Sequence, residues 1–246
     1  MRWIFLLLIF VFTLIGGFIP LRFKQMQSVV MVYLLAFTGA FLLGITLLHL
    51  VPESIAGLGA VAGLFIFLGF FLQVFLQQWS HGLEHGHGAG GEAVHMHGSR
   101  AGVFSIVAGL SVHAFMAGLP LGFSYSDPST LPALVLGILL HKMPEALTLM
   151  VLLMHLRPHK KSNAWLLLLF ALVTPGAALL AYLLNIEFVA TEAILLYVVA
   201  IVTGSFLHIS TTIFFESGAR HHELNTGKVI SMLIGFCLAA ATLFFE

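Results

Sequence analysis

The chain reads as long apolar runs separated by short polar breaks. Eight runs approach or exceed the roughly 20 mostly apolar residues that a helix needs to cross a bilayer. They cover approximately 3–19, 29–50, 59–78, 101–124, 130–154, 164–184, 189–212 and 228–245. The breaks carry turn residues: Pro20, Pro52-Glu53-Ser54, a Gly/His stretch over 79–100, Asp127-Pro128, Arg157-Pro158 and Asn185. Apolar positions run on without alternating, so the runs are helices and not barrel strands. The pattern predicts an all-α membrane protein with eight transmembrane helices. Residues 1–246 then form a single transmembrane domain, with 79–100 as a histidine-rich loop between spans 3 and 4.

Composition sharpens this picture. The chain is 60% apolar and 8% charged, with ten acids, ten bases and a net charge of zero. Soluble domains carry roughly 25% charged residues, so an ordinary soluble enzyme is excluded. No basic stripe exists to bind nucleic acid, and the expected surroundings are membrane lipid. A single cysteine, Cys237, excludes a disulfide framework. The first run follows Arg2 like a secretory signal, but Gly16-Gly17-Phe18-Ile19-Pro20 is a poor cleavage site. It is expected to remain as a membrane helix.

The bases are unevenly placed. Arg22 and Lys24, Arg100, Arg157, Lys160 and Lys161, and Arg220 and Lys228 fall in or beside four loops that eight crossings put on one side. Positively charged loops stay in the cytoplasm. Both termini are therefore expected outside, and a bacterial inner membrane is the expected location. Arg2 lies on the opposite side, and Lys142 lies in no loop at all.

Ionisable side chains at membrane depth cost at least ~2.5–3.5 kcal/mol each for Asp, Lys or Arg and are functional candidates by default. Span 4 carries His113 near its middle, and span 5 carries His141-Lys142-Met143-Pro144-Glu145 near its own. The two spans run in opposite directions, so the clusters share a depth. His141 and Glu145, four residues apart, share one helix face. Pro144 has no backbone N–H and leaves the carbonyl of Leu140 without its helical partner. Two imidazoles and a carboxylate suit a borderline divalent ion: Zn²⁺ first, with Fe²⁺ or Mn²⁺ as alternatives. The competing reading is a His–Glu–Lys hydrogen-bond network that joins helices.

Two more pairs fall at the expected span ends. His49 with Glu53 closes span 2 as a candidate entrance; His208 with Glu216 closes span 7 as a candidate exit. Gly44-Ile45-Thr46-Leu47-Leu48-His49 and Gly204-Ser205-Phe206-Leu207-His208 are alike and oppositely oriented, as in the inverted repeats of transporters. The alternative is interfacial polar residues facing headgroups. Gly118 and Gly122, and Gly59 and Gly63, are small-residue pairs suited to close helix packing. His81, His85, His87, His95 and His97 crowd the glycine-rich loop and suit loose metal binding, against the alternative of a polar linker. His81-x-x-Glu84-His85 also fits a metallopeptidase string, but the adjoining glycines argue against an ordered catalytic helix.

At spans 4 and 5 the sequence resembles the ZIP family of divalent-metal transporters. That family carries His-Asn-x-x-Glu-Gly in span 4 and a His- or Gln-led motif ending Pro-Glu-Gly in span 5. The matching stretches are His113-Ala114-Phe115-Met116-Ala117-Gly118 and His141-Lys142-Met143-Pro144-Glu145-Ala146. The resemblance covers the whole chain and implies a 3+2+3 arrangement with inverted outer triplets; a homodimer is compatible with it. It also exposes departures. The family's span-4 Asn and Glu are Ala114 and Ala117; the second span-5 position, often a ligand, is Lys142. The family's span-6 Glu-Pro-x-Gly becomes Thr174-Pro175-Gly176, without the carboxylate. Where the family often holds two metals, these changes imply one, bound by His113, His141 and Glu145, with Lys142 supplying the charge of the second.

The implied function is uptake of a divalent metal, zinc first, into the cytoplasm by alternating access, with spans 4 and 5 moving against the outer spans. The metal is cargo, and no catalytic residues are assigned. Two other readings stay open: a non-transporting sensor or degenerate transporter, and an intramembrane zinc hydrolase.

Overall fold

The computed structural model describes residues 2–22, 28–79, 100–123, 125, 129–156, 160–187, 191–216 and 226–244. The histidine-rich loop, with His81, His85, His87, His95 and His97, lies outside the described residues. The described chain is almost entirely helical: α1 (Arg2–Arg22), α2 (Ser28–Ile45), α3 (Val51–Leu58), α4 (Ala62–Trp79), α5 (Arg100–Gly118), α6 (Thr130–Leu156), α7 (Lys160–Glu187), α8 (Thr191–Glu216) and α9 (Thr226–Ala241). Five stretches are long and apolar enough to cross a membrane: Trp3–Arg22, Val32–Gln78, Thr130–Met154, Lys161–Leu184 and Thr226–Phe244. The second contains both the α2–α3 and the α4 helices. Val107–Gly122 and Leu196–Thr212 are shorter apolar helices.

One boundary differs from the sequence expectation. Pro52 does not end span 2. A π-helical turn over Thr46–Leu50 joins α2 to α3, in which the Val51 N–H reaches the Thr46 carbonyl. Pro52 then occupies the first turn of α3, where a helix needs no N–H from it. The chain turns at Gly59, whose φ of 58° suits a residue without a Cβ. Gly59 is thus a turn residue, and no atom would meet a Cβ at Gly63 within 4 Å, so this pair does not mediate helix packing.

The helices pack as two groups. Helix α6 lies against α1 and α7, and α5 lies against α7; α2 lies against α9 and α8, and α4 against α8. The principal contacts between the groups are those of α2 with α6 and α4 with α5. Helix α6 is the central element: 78% of its apolar window is buried, against 28% for α1 and α9. The exposed residues of the outer helices are large and apolar, among them Leu7, Phe67, Leu169 and Leu233, as lipid contact requires.

Glycines set the closest approaches. A Cβ at Gly16 of α1 would collide with the backbone of Met143 in α6, between Lys142 and Pro144. A Cβ at Gly118 of α5 would collide with the Thr174 carbonyl of α7, and one at Gly122 with Ala178 and Ala181. The expected packing role of Gly118 and Gly122 is met. Backbones held this closely fix the depth of the polar residues beside them.

Candidate metal site

Helix α6 presents His141 and Glu145 one turn apart, and α5 brings His113 to them across the helix interface. His113 Nε2 lies 3.4 Å from His141 Nε2, with the rings edge to face. Glu145 completes a triangle: Oε1 is 4.0 Å from His113 Nε2, and Oε2 is 3.9 Å from His141 Nε2. All three residues are buried. Among the described residues, this is the one group of three side chains able to hold a metal ion, with ligand atoms within 4.8 Å of one another.

A tetrahedral ion with bonds of about 2.0–2.1 Å separates its ligand atoms by roughly 3.3 Å. The two imidazole nitrogens already stand at that spacing, and the Glu145 oxygens lie about 0.6–0.7 Å beyond it, so the carboxylate would have to close in on a bound ion. His141 Nδ1 and Glu145 Oε1 are buried without a hydrogen-bond partner. Buried polar atoms are normally satisfied, and a carboxylate oxygen left open 4.0 Å from the His113 imidazole fits a cation.

Lys142 belongs to the same cluster. Its Nζ donates to Glu145 Oε2 at 2.6 Å and lies 5.0 Å from the centroid of Phe170 on α7. The Lys142 side chain is 1% exposed, so Glu145 and the aromatic face take the place of water around it. Phe170 carries no sequence signal for this role, because it is one phenylalanine among 23.

The positions where the motif departs from the family pattern are packed, not open. Ala114 and Ala117 are buried among apolar side chains. Thr174 Oγ1 donates to the Ala114 carbonyl at 2.9 Å, which ties α7 to α5.

The candidate entrance and exit histidines sit elsewhere. His49 is buried within the π-helical turn and not at a span end, because the helix continues to Leu58. Its Nε2 is 2.8 Å from Thr242 Oγ1, beyond the end of α9. Glu53 is half-buried one turn further along. His208 is half-buried on α8, hydrogen-bonded to Gln77 Oε1 and edge-on to the Phe70 ring, both on α4. Helix α8 continues past it to Glu216, its last residue; the side chain of Glu216 lies outside the described set. Neither pair joins the central cluster.

Sequence reading missed a second polar seam between α4 and α8. Ser205 donates to Gln73 Oε1 at 2.8 Å, one turn from the His208–Gln77 bond. Two glutamines four residues apart in an otherwise apolar run were the available signal.

No individual curated protein matches the chain in sequence. The family model for the ZIP zinc transporters matches residues 77–242, about two thirds of the chain. That match includes His113, His141 and Glu145, and the chain belongs to the ZIP zinc transporter family.

Proposed function

We propose that this protein carries Zn²⁺ into the cytoplasm through a single intramembrane site made by His113, His141 and Glu145. The family accounts for divalent-metal transport in general. The observation that carries the finer reading is the buried convergence of two imidazole nitrogens and a carboxylate at 3.4–4.0 Å. Two nitrogens and one oxygen, with water as a fourth ligand, suit zinc; iron and manganese are alternative cargo. Lys142 stands in place of a second ion. The buried Ala114 and Ala117 and the Thr174–Ala114 hydrogen bond support this, since they leave no second carboxylate beside the first site.

The proposed architecture is eight crossings in a 3+2+3 order, with both termini outside. The helix pairing supports it. Exchanging spans 1, 2 and 3 with 6, 7 and 8, and span 4 with 5, maps the α1–α6 contact onto α7–α5. It also maps α2–α9 onto α8–α4. The same exchange relates His49–Thr242 to His208–Gln77. His49 and Glu53 then mark the approach to the site and His208 and Glu216 the departure, with the loop histidines receiving the ion in the cytoplasm. The expected motion of spans 4 and 5 against all the outer spans is revised by the packing: α1 and α7 lie against α6 and α5, so alternating access would move these four together relative to α2, α4, α8 and α9.

A non-transporting metal sensor is the second reading, and the alanines at two family ligand positions favour it. Zinc flux into proteoliposomes tests the choice. Transport predicts accumulation that His141→Ala abolishes. Zinc binding without accumulation would establish the sensor reading instead.

A further inference from the structure

The Glu145 carboxylate has two oxygens in different situations. Oε2 accepts from Lys142 at 2.6 Å, a short charge-assisted hydrogen bond. Oε1 accepts no hydrogen bond and lies 4.0 Å from His113 Nε2. The lysine cannot swing aside into water, because its side chain is buried and its Nζ rests over the Phe170 ring. Close packing of Gly16 against Met143 holds the α6 backbone beside it.

We propose that Lys142 determines which ion the site accepts. By holding Oε2, it restricts Glu145 to ligation through Oε1 and so selects a four-coordinate ion over ions that need more oxygen ligands. This rests on the reading of His113, His141 and Glu145 as the transport site.

The argument is one of geometry and charge. An ion chelated by both oxygens would sit about 2.0–2.2 Å from Oε2, and therefore within about 5 Å of the ammonium. Repulsion between the two cations in a buried site opposes that position. An ion on Oε1 alone stays clear of the oxygen that Nζ holds and lies on the His113 side of the carboxylate. Zn²⁺ is satisfied there by two nitrogens, one oxygen and a water. Mn²⁺ favours octahedral oxygen-rich coordination and binds nitrogen ligands more weakly, so losing one carboxylate oxygen costs it more. Lys142 touches the carboxylate and not the ion; it is a positioning residue.

The test uses the purified full-length chain in detergent as wild type, Lys142→Met, Lys142→Arg and His141→Ala. Zn²⁺ and Mn²⁺ affinities are measured by competition, and the zinc-loaded proteins by X-ray absorption. Lys142→Met is expected to narrow the zinc-over-manganese preference by about tenfold, equivalent to ~1.4 kcal/mol, and to add an oxygen to the zinc shell. Lys142→Arg, which keeps a charged donor, is expected to preserve both. Should the methionine variant fail to fold, Lys142→Leu replaces it with the same expectation. An unchanged preference and zinc shell in a folded apolar variant that still binds zinc overturns the inference and leaves the site reading intact. Equal zinc binding by wild type and His141→Ala overturns the site reading, and this inference with it.

Discussion

The four helix histidines whose side chains are described fall into two kinds. At the centre, His113 and His141 turn nitrogens toward each other and toward a carboxylate with one open oxygen. On the flanks, His49 and His208 each turn a nitrogen to a side chain on a neighbouring element, Thr242 and Gln77. A flank imidazole is thus partly committed to helix association, whereas the central pair converges with the shape a cation fills. A histidine within a membrane helix is thus a metal candidate where several ligand atoms converge, and a helix-joining residue where its nitrogen meets a neighbouring side chain.

The largest expected effect separates these two kinds. His113→Ala, His141→Ala or Glu145→Gln removes a proposed direct ligand. Each should reduce zinc uptake by more than the ~10–100-fold typical of losing an outer-shell partner. His49→Ala and His208→Ala should leave uptake within several-fold of wild type, measured in the same vesicles. Loss at the flanks equal to loss at the centre would erase the distinction.

Next in size is the framework that sets the depth of the centre. Gly16→Val or Gly118→Val forces side-chain atoms into the backbone of Met143 or Thr174. Overpacking of this kind costs ~1–3 kcal/mol or more, and thermal melting in detergent should show it. Gly63→Val, which meets nothing within 4 Å, is the matched control and should melt like wild type.

The smallest effect concerns the flanks alone. A double-mutant cycle of His49→Ala with Thr242→Val should give a coupling of ~0.6 kcal/mol, the average for hydrogen bonds between membrane helices. A coupling near zero would mean that the His49–Thr242 contact contributes nothing to association of α2 with the end of α9.

Much of this was legible in the sequence, for identifiable reasons. Apolar runs about as long as the bilayer is thick announce helices, and the runs are helical wherever they are described except at Phe123, an extended residue that closes the fourth. The trio was legible because helical periodicity puts His141 beside Glu145, and opposite chain directions bring His113 to the same depth. The end of span 2 was misread at Pro52. A proline normally marks a boundary, but a π-helical turn supplies an acceptor five residues back and carries the helix past it. His49 was consequently expected at a surface and is buried. The Thr242 partner, 193 residues away, and the Phe170 face over Lys142 depend on tertiary packing that no local pattern encodes.

The central claim is one zinc ion held between α5 and α6. Anomalous diffraction at the zinc edge from crystals soaked in zinc tests it most directly. The account predicts one intramembrane peak, bonded to His113 Nε2, His141 Nε2 and a Glu145 oxygen, with none beside Ala114 and Thr174. A second peak there, or none among the three ligands, would contradict it.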